Sequence, residues 1–294
     1  MSSAKVSIIT RTRNRPVLLA RAMQSVFGQE DAPEWEWIIV NDGGDAAEVE
    51  QCLEPARSSG RLKLVHMDQS RGMEHASNFG LQRAGGTLLV IHDDDDSWDP
   101  RFLSRMSGFL DDPANRGFGG VVCHSVRVVE QIGGDLIEER FRHPFNPELT
   151  SLEFWSVLKG NPFPPISFMF RRSTYVETGP FNETLPVLGD WEFNLRVLAR
   201  FRLAVLPEAM AFYHHRESGT AEAYANSITA WDARHRDVET RLRREWAQGN
   251  PFGLPPGTFA AAAATAGSIH AMAGSLERIE QQLERLQPPP PPQF

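Results

Sequence analysis

The chain has 294 residues, 41% of them hydrophobic, with 18 Phe and 7 Trp, enough to bury a sizeable core in one large domain or two modest ones. A formal net charge of -8 excludes the basic footprint that non-specific nucleic-acid binding needs. Cys52 and Cys123 form neither a metal-ligand spacing nor a disulfide framework, and no apolar run approaches the ~20 residues of a membrane-spanning helix.

Val6 to Thr10 is a short apolar run followed by a polar turn ending at Pro16. Leu18, Leu19, Ala22, Met23 and Val26 then repeat with helical spacing. Trp35 to Val40 reads as a strand, Asn41-Asp42-Gly43-Gly44 as a turn, and a helix begins near Ala46. Leu62 to Met67 reads as a third strand, Met73 to Ala84 as a helix and Thr87 to His92 as a fourth strand. Short apolar runs separated by amphipathic helices predict a doubly wound, mostly parallel sheet flanked by helices. Ligands of such sheets lie beyond the carboxyl ends of the strands.

Farther on, Val121 to Glu130 and Leu136 to Phe141 flank Gly133-Gly134-Asp135 and predict a β-hairpin. Gly160 to Pro165 is a rigid loop, Ile166 to Phe170 a strand, Asp190 to Arg200 a helix, Leu203 to Tyr213 one or two strands, and Ala221 to Trp246 helical. The segment 1–248 is expected to be the folded domain, in two halves that divide at about residue 100. The remaining 249–294 reads as a linker and tail: an alanine-rich tract over 258–273, a helical stripe at Ile279, Leu283 and Leu286, and a stop at Pro288 to Pro292. The stripe either pairs subunits in self-association or packs on its own chain.

Four clusters carry chemistry. Asp93-Asp94-Asp95-Asp96 follows the fourth strand, and such a run is costly beside a sheet unless a cation or solvent compensates. In an extended segment Asp93 and Asp95 point the same way, towards one hard cation such as Mg²⁺ or Mn²⁺; a solvated acidic loop or a Ca²⁺ site is the other reading. Asn41 to Asp45 follows the second strand and suits either ligand contact or an Asx turn with a helix cap at Asp45. Asp190 opens a helix, as an N-cap, a general base, or both. His214-His215 closes a strand-like segment, and alternation there lets at most one ring ligate a metal.

Taken in order, these pieces resemble the family-2 type of GT-A inverting glycosyltransferase. Val6 to Thr10 with Arg13-Asn14-Arg15-Pro16 looks like that family's opening strand and nucleotide loop, and Ser25 to Gln29 like the end of its first helix. Val40 to Asp45 is similar to its second nucleotide-contact motif. Gly85-Gly86-Thr87, the Asp93 to Asp96 run, Trp98 and Pro100 resemble the segment bearing its DxD metal motif, with Asp93 and Asp95 as the pair. Gly179 to Glu183, leading into Gly189-Asp190-Trp191-Glu192, resembles the acceptor segment, where an acidic pair precedes a helix and its Asp is the base.

There are departures. The first acid of that pair is Gly189, with Glu192 nearby as an understudy to Asp190. Asn41 stands where many relatives have Asp. Ser77 stands before Asn78 where many have Arg, with Arg71 as a substitute phosphate contact. The resemblance implies a nucleoside-diphosphate sugar donor, with UDP, GDP or dTDP, held by Thr10, Arg11, Arg13, Asn41, Asp42, Arg71, Asn78, Asp93 and Asp94. It implies Mn²⁺ or Mg²⁺ on Asp93, Asp95 and one of His214 or His215, and Asp190 as the catalytic base. The acceptor would be a saccharide or glycolipid in surface-polysaccharide or glycolipid assembly, with no nucleic-acid partner. A non-catalytic binding module is the competing class. A sugar nucleotidyltransferase would want a glycine-rich loop after the first strand, which Thr10 to Asn14 lacks. The N-terminus lacks the basic-then-apolar pattern of a signal peptide, so the expected location is cytoplasmic, compatible with a peripheral contact at the inner face of the membrane.

Overall fold

A computed structural model describes residues 4–133, 136–216, 232–249 and 252–253. The chain divides into two compact units, Met1–Arg243 and Arg244–Phe294. The alanine-rich tract, the Ile279 stripe and the prolines after it lie outside the described residues, as do positions 221–231 of the expected long helix. No helix among the described residues is long and apolar enough to cross a membrane.

The first unit opens with the expected alternation: β1 (Val6–Thr12), α1 (Pro16–Phe27), β2 (Trp35–Asp42), α2 (Ala46–Arg57), β3 (Leu62–Met67), α3 (Met73–Leu81) and β4 (Leu88–Ile91). Pro16 starts α1, where its missing N–H costs nothing, and Leu18, Leu19, Ala22 and Val26 form its buried stripe. Asp45 caps α2 by accepting from the Glu48 N–H at 3.1 Å. The strands β3-β2-β1-β4 are parallel neighbours, with Ile8 opposite Trp37 on one side and Val90 on the other.

The rest of the unit is mixed. It contains β5 (Ser97–Trp98), α4 (Phe102–Asp111), β6 (Phe118–Gly133), β7 (Leu136–Pro144), α5 (Phe154–Lys159), β8 (Phe168–Arg171), α6 (Arg172–Thr178), α7 (Gly189–Leu198) and β9 (Arg202–Arg216). Helix α8 (Asp232–Gln248) follows. The sheet runs β3-β2-β1-β4-β8-β6-β9-β5, with β7 on β6. Strand β8 is antiparallel to both β4 and β6, while β6 and β9 are parallel. The parallel character is thus confined to the first four strands and the β6/β9 pair. The expected hairpin is present as β6 and β7, and the one or two strands expected over Leu203 to Tyr213 are a single 15-residue strand, β9.

One core layer packs α1, α2 and α4 on Val6, Ile8, Trp37, Ile39 and Val90. Trp98 stacks on Phe102 at 4.2 Å and its indole N–H donates to the Ile166 carbonyl at 2.7 Å. Helices α3 and α7 cover the other face. This topology matters for the site, because β6 and β9 run in the same direction as β4. The carboxyl ends of β1, β2, β4, β6 and β9 all open onto one edge of the sheet.

Candidate active site

The acidic run after β4 does not continue as a strand. It turns, with the Asp96 N–H bonded to the Asp93 carbonyl at 3.2 Å, so that Asp96 joins Asp93 and Asp95. One carboxylate oxygen from each of these three lies within 4.8 Å of the others. Asp96 was not singled out by the two-residue alternation argument, because that argument assumed extended backbone. Asp94 faces away to Arg15, at 3.4 Å. Burial pushes the Asp94 carboxyl up to about 6 against the pull of Arg15. Asp96 is raised well above the ordinary range by burial and by the charges of Asp95 and Asp93. Burial also opposes the charge of Asp95, yet the Arg216 and Arg15 guanidiniums beside it hold it below the usual carboxylate range.

The carboxyl ends of β6 and β9 add a second ring of charges. Glu130 accepts from Arg21 at 2.6 Å and pairs with Arg216 at 3.5 Å, and Arg216 also pairs with Asp95. His214 bridges Glu130 through Nδ1 and the Ser97 hydroxyl through Nε2, both at 2.8 Å, while its backbone N–H donates to Asp96 at 2.8 Å. Both His214 nitrogens are therefore engaged within the protein. The other expected metal-ligand candidate is His215. Its ring is buried with neither nitrogen hydrogen-bonded, and burial together with Arg127 and Arg216 pushes it down to about 4, keeping it neutral. The three clustered carboxylates fit a divalent cation by donor chemistry, and His215, with its neutral ring and unbonded nitrogens, lies outside that cluster.

Asp190 lies in the first turn of α7, not at its cap. Leu188 is the N-cap, in the left-handed region at φ 65°, and offers no side-chain cap bond. Burial raises the Asp190 carboxyl, opposed by the helix-start N–H groups and by Arg11. The Asn161 amide donates to Asp190 at 2.7 Å, and Asn194 in turn donates to Asn161 at 3.1 Å, so the rigid loop before β8 orients the acid. Glu192 is a weaker understudy than expected: its carboxylate is held at 2.7 and 2.8 Å by Arg196. Arg11 donates to Asp93 at 2.9 Å and to the Ser77 hydroxyl at 2.7 Å, linking the acidic turn to α3.

Several residues expected to touch a donor have partners inside the protein. Thr10 accepts from the Trp37 indole at 2.8 Å. Asn41 closes its own turn by accepting from Gly44 N–H at 3.0 Å and donating to the Gly44 carbonyl at 2.9 Å, which is the Asx-turn reading. Gly43 sits at φ 70°, and a Cβ there would lie 2.3 Å from Ser70 N, so the turn admits no side chain. Asp42 accepts from the Ser70 hydroxyl at 2.7 Å, Arg71 N–H at 2.8 Å and Gly72 N–H at 3.2 Å, holding the start of α3. Asn78 exchanges bonds with Phe181 N–H and carbonyl at 2.9 Å each, tying α3 to the segment before α7. Arg13 and Arg71 are exposed at the rim.

Sequence reasoning missed Asp96, Arg15, Arg216, Glu130, Asn161 and Glu74 as members of this edge. For Glu74 a signal existed: it shares a face of α3 with Ser77, Asn78 and Leu81, all of them buried.

Residues 7–174, more than half of the chain, match the family described as Glycosyl transferase family 2. The chain is 25% identical over 215 residues to the uncharacterized glycosyltransferase YwdF of Bacillus subtilis (strain 168), covering 73% of this chain and 76% of that one. It is 27% identical over 199 residues to a PGL/p-HBAD biosynthesis glycosyltransferase of Mycobacterium bovis, covering 67% and 70%. Among solved structures it is similar to S. aureus TarS residues 1–349 in complex with UDP, at TM-score 0.55 and 20% identity over 71% of this chain and 60% of that one. The mannosyltransferase PcManGT from Pyrobaculum calidifontis, in complex with GDP-Man and Mn²⁺, gives TM-score 0.57 and 20% identity over 98% of this chain and 82% of that one. These structural likenesses establish the GT-A fold.

Proposed function

The chain belongs to glycosyl transferase family 2, and from that premise we propose that it is a metal-dependent, inverting enzyme moving a sugar from a nucleoside-diphosphate sugar to a hydroxyl acceptor. The observation that carries this reading is the meeting of two acidic groups at one edge: the Asp93, Asp95, Asp96 cluster, and Asp190 held by Asn161. Arg11 lies between them, paired with Asp93 and attracting Asp190.

In this mechanism the donor lies over the carboxyl ends of β1, β2 and β4. Backbone groups of the Asn41 to Asp45 turn and exposed Arg13 and Arg71 line its base and phosphate path. A divalent cation held by Asp93, Asp95 and Asp96 would supply Lewis-acid stabilisation of the leaving diphosphate. Asp190 takes the proton of the acceptor hydroxyl as that oxygen attacks the anomeric carbon. The bond to the diphosphate breaks on the opposite face, so the configuration inverts. Asn161 keeps one Asp190 oxygen occupied and leaves the other for the proton. His214 fixes the turn through Asp96 and Ser97 without touching substrate.

UDP-GlcNAc and GDP-Man complexes of TarS and PcManGT support a nucleoside-diphosphate sugar and leave UDP, GDP and dTDP donors all in play. Mn²⁺ and Mg²⁺ both suit the oxygen-rich cluster. The acceptor class proposed is a saccharide or glycolipid; the mycobacterial relative is a PGL/p-HBAD biosynthesis glycosyltransferase. The test is turnover: UDP- and GDP-sugars incubated with Mn²⁺ should release nucleoside diphosphate slowly with water as acceptor. Release that is unaffected by Asp190→Asn would remove Asp190 from the base role.

A further inference from the structure

Helix α7 starts at a glycine that is packed against a carboxyl from another helix. A Cβ built on Gly189 would meet Glu74 Oε1 and Cδ at 2.3 Å and Cγ at 2.6 Å. The Glu74 carboxyl therefore occupies the volume into which a side chain at 189 would project. Glu74 is 4% exposed, and its Oε2 has no hydrogen-bond partner. Its nearest cation is Arg11, with Nη1 at 3.8 Å, and that guanidinium also reaches Asp93 and the Ser77 hydroxyl. An underpartnered buried carboxyl beside the candidate base is costly to keep, and such groups concentrate where chemistry needs them.

Two departures from the family pattern meet in this cluster. The acceptor segment has Gly189 where its first acid belongs, and α3 has Ser77 where an arginine belongs. A carboxyl from position 74 reaches the first position and a guanidinium from position 11 reaches the second. We propose that Glu74 is a positioning residue for Asp190, restoring from α3 the acidic pair that the sequence lacks at 189, with Arg11 as the counter-charge shared between that pair and Asp93. The proposal rests on the transfer reading above. It deepens that reading by naming the group that sets the strength of the base.

The charges facing Glu74 are Arg11 from β1, Asp93 from the turn after β4, and Asp190 and Glu192 from α7. Burial pushes its carboxyl up to about 7, Arg11 opposes this, and Asp190, Asp93 and Glu192 add to it. Glu74 is thus neutral in mildly acidic solution and charged in alkaline. Once charged, it raises the proton affinity of Asp190 and makes it a stronger base.

The test compares the full-length chain with Glu74→Gln, Glu74→Gly, the double variant Glu74→Gly/Gly189→Glu, and Asp190→Asn. Each is given UDP-GlcNAc or GDP-mannose with MnCl₂, and nucleotide release is followed with pH. Glu74→Gln should bind donor as the parent does, turn over about 3- to 10-fold more slowly, as a weaker general base does, and lose the rise in rate through pH about 7. Glu74→Gly should lose activity as well, and the double variant should recover most of it, because the carboxyl returns from the opposite side. A stability readout needs no turnover. A raised carboxyl favours the fold below its ordinary value of 4.5, and that contribution is gone above about 7, so Glu74→Gln should gain stability over the parent progressively across that interval. Parental rate and pH profile in Glu74→Gln, with Asp190→Asn inactive, overturn this proposal alone. A parent protein that releases nucleotide from none of the UDP-, GDP- and dTDP-sugars overturns the transfer reading and the proposal with it.

Discussion

Two stretches of the same sheet edge are built from similar residues and behave in opposite ways. At the ends of β1 and β2, Thr10, Asn41, Asp42 and Asn78 have their polar atoms bonded to Trp37, Gly44, the 70–72 turn and Phe181. At the ends of β4, β6 and β9, Glu74, Asp93, Asp94, Asp95, Asp96, Glu130 and Asp190 outnumber the guanidiniums of Arg11, Arg15, Arg21 and Arg216. Asp94 Oδ2, Glu74 Oε2 and both His215 nitrogens are buried there with no hydrogen-bond partner. In the first stretch, those four side chains are bonded within the protein and frame the turns. The second stretch carries surplus negative charge that a divalent cation and a proton in transit would relieve. A polar residue at a strand end is therefore a poor guide to chemistry until its partners are counted.

The contrast is sharpest at Asp190. Asp190→Asn should lower turnover by about 10²–10⁴-fold while donor-induced stabilisation persists, as thermal shift and single-turnover assays can read. A variant that loses stability but keeps its rate would place Asp190 with the scaffold group. Asp95→Asn should abolish the part of donor stabilisation that requires Mn²⁺, out of a total of ~2.7 kcal/mol at about a hundredfold excess of ligand over Kd. Unchanged Mn²⁺ dependence would mean that Asp95 serves only as the partner of Arg216.

In the first stretch the loss should be one of stability. Asn78→Ala leaves Phe181 N–H and carbonyl without their partner and should cost about 1–3 kcal/mol in urea unfolding, with the pH profile of turnover unchanged. Asp42→Ala should behave likewise through the 70–72 turn, and a specific loss of donor affinity at full stability would move Asp42 to the other group. The smallest effect is expected at Thr10→Val, about 1 kcal/mol from the lost Trp37 bond. On the pH axis, the raised Asp190 carboxyl must be ionised to accept a proton. Turnover should therefore fall as pH drops through its elevated value, and Asp190→Asn should erase that limb.

Most of the fold was legible because burial repeats at short range. The apolar runs of β1 to β4 and the stripes of α1 to α3 announce themselves within a dozen residues. Helices α4, α5 and α6 escaped notice; α5 and α6 are 6 and 7 residues long, too short to show a period. Strand β8 starts at Phe168, later than expected, because Pro165 to Ser167 form a 3-10 turn. The acidic run and Asp190 were legible as chemistry, but their geometry was not. Asp96 enters the cluster through a turn, Asp190 sits one turn position past a left-handed Leu188, and His214 is fixed by Glu130 from a distant strand. Glu74 lies on a buried face of α3, but its meaning depends on Gly189, more than a hundred residues away.

The central claim is that this edge holds a nucleoside-diphosphate sugar on a divalent cation. Thermal unfolding of the full chain with UDP-, GDP- and dTDP-sugars, each with and without Mn²⁺, tests it most directly. The account predicts stabilisation by one nucleotide class, larger with Mn²⁺ and losing that increment in Asp95→Asn. A well-folded protein stabilised by none of the three, with or without metal, would contradict it.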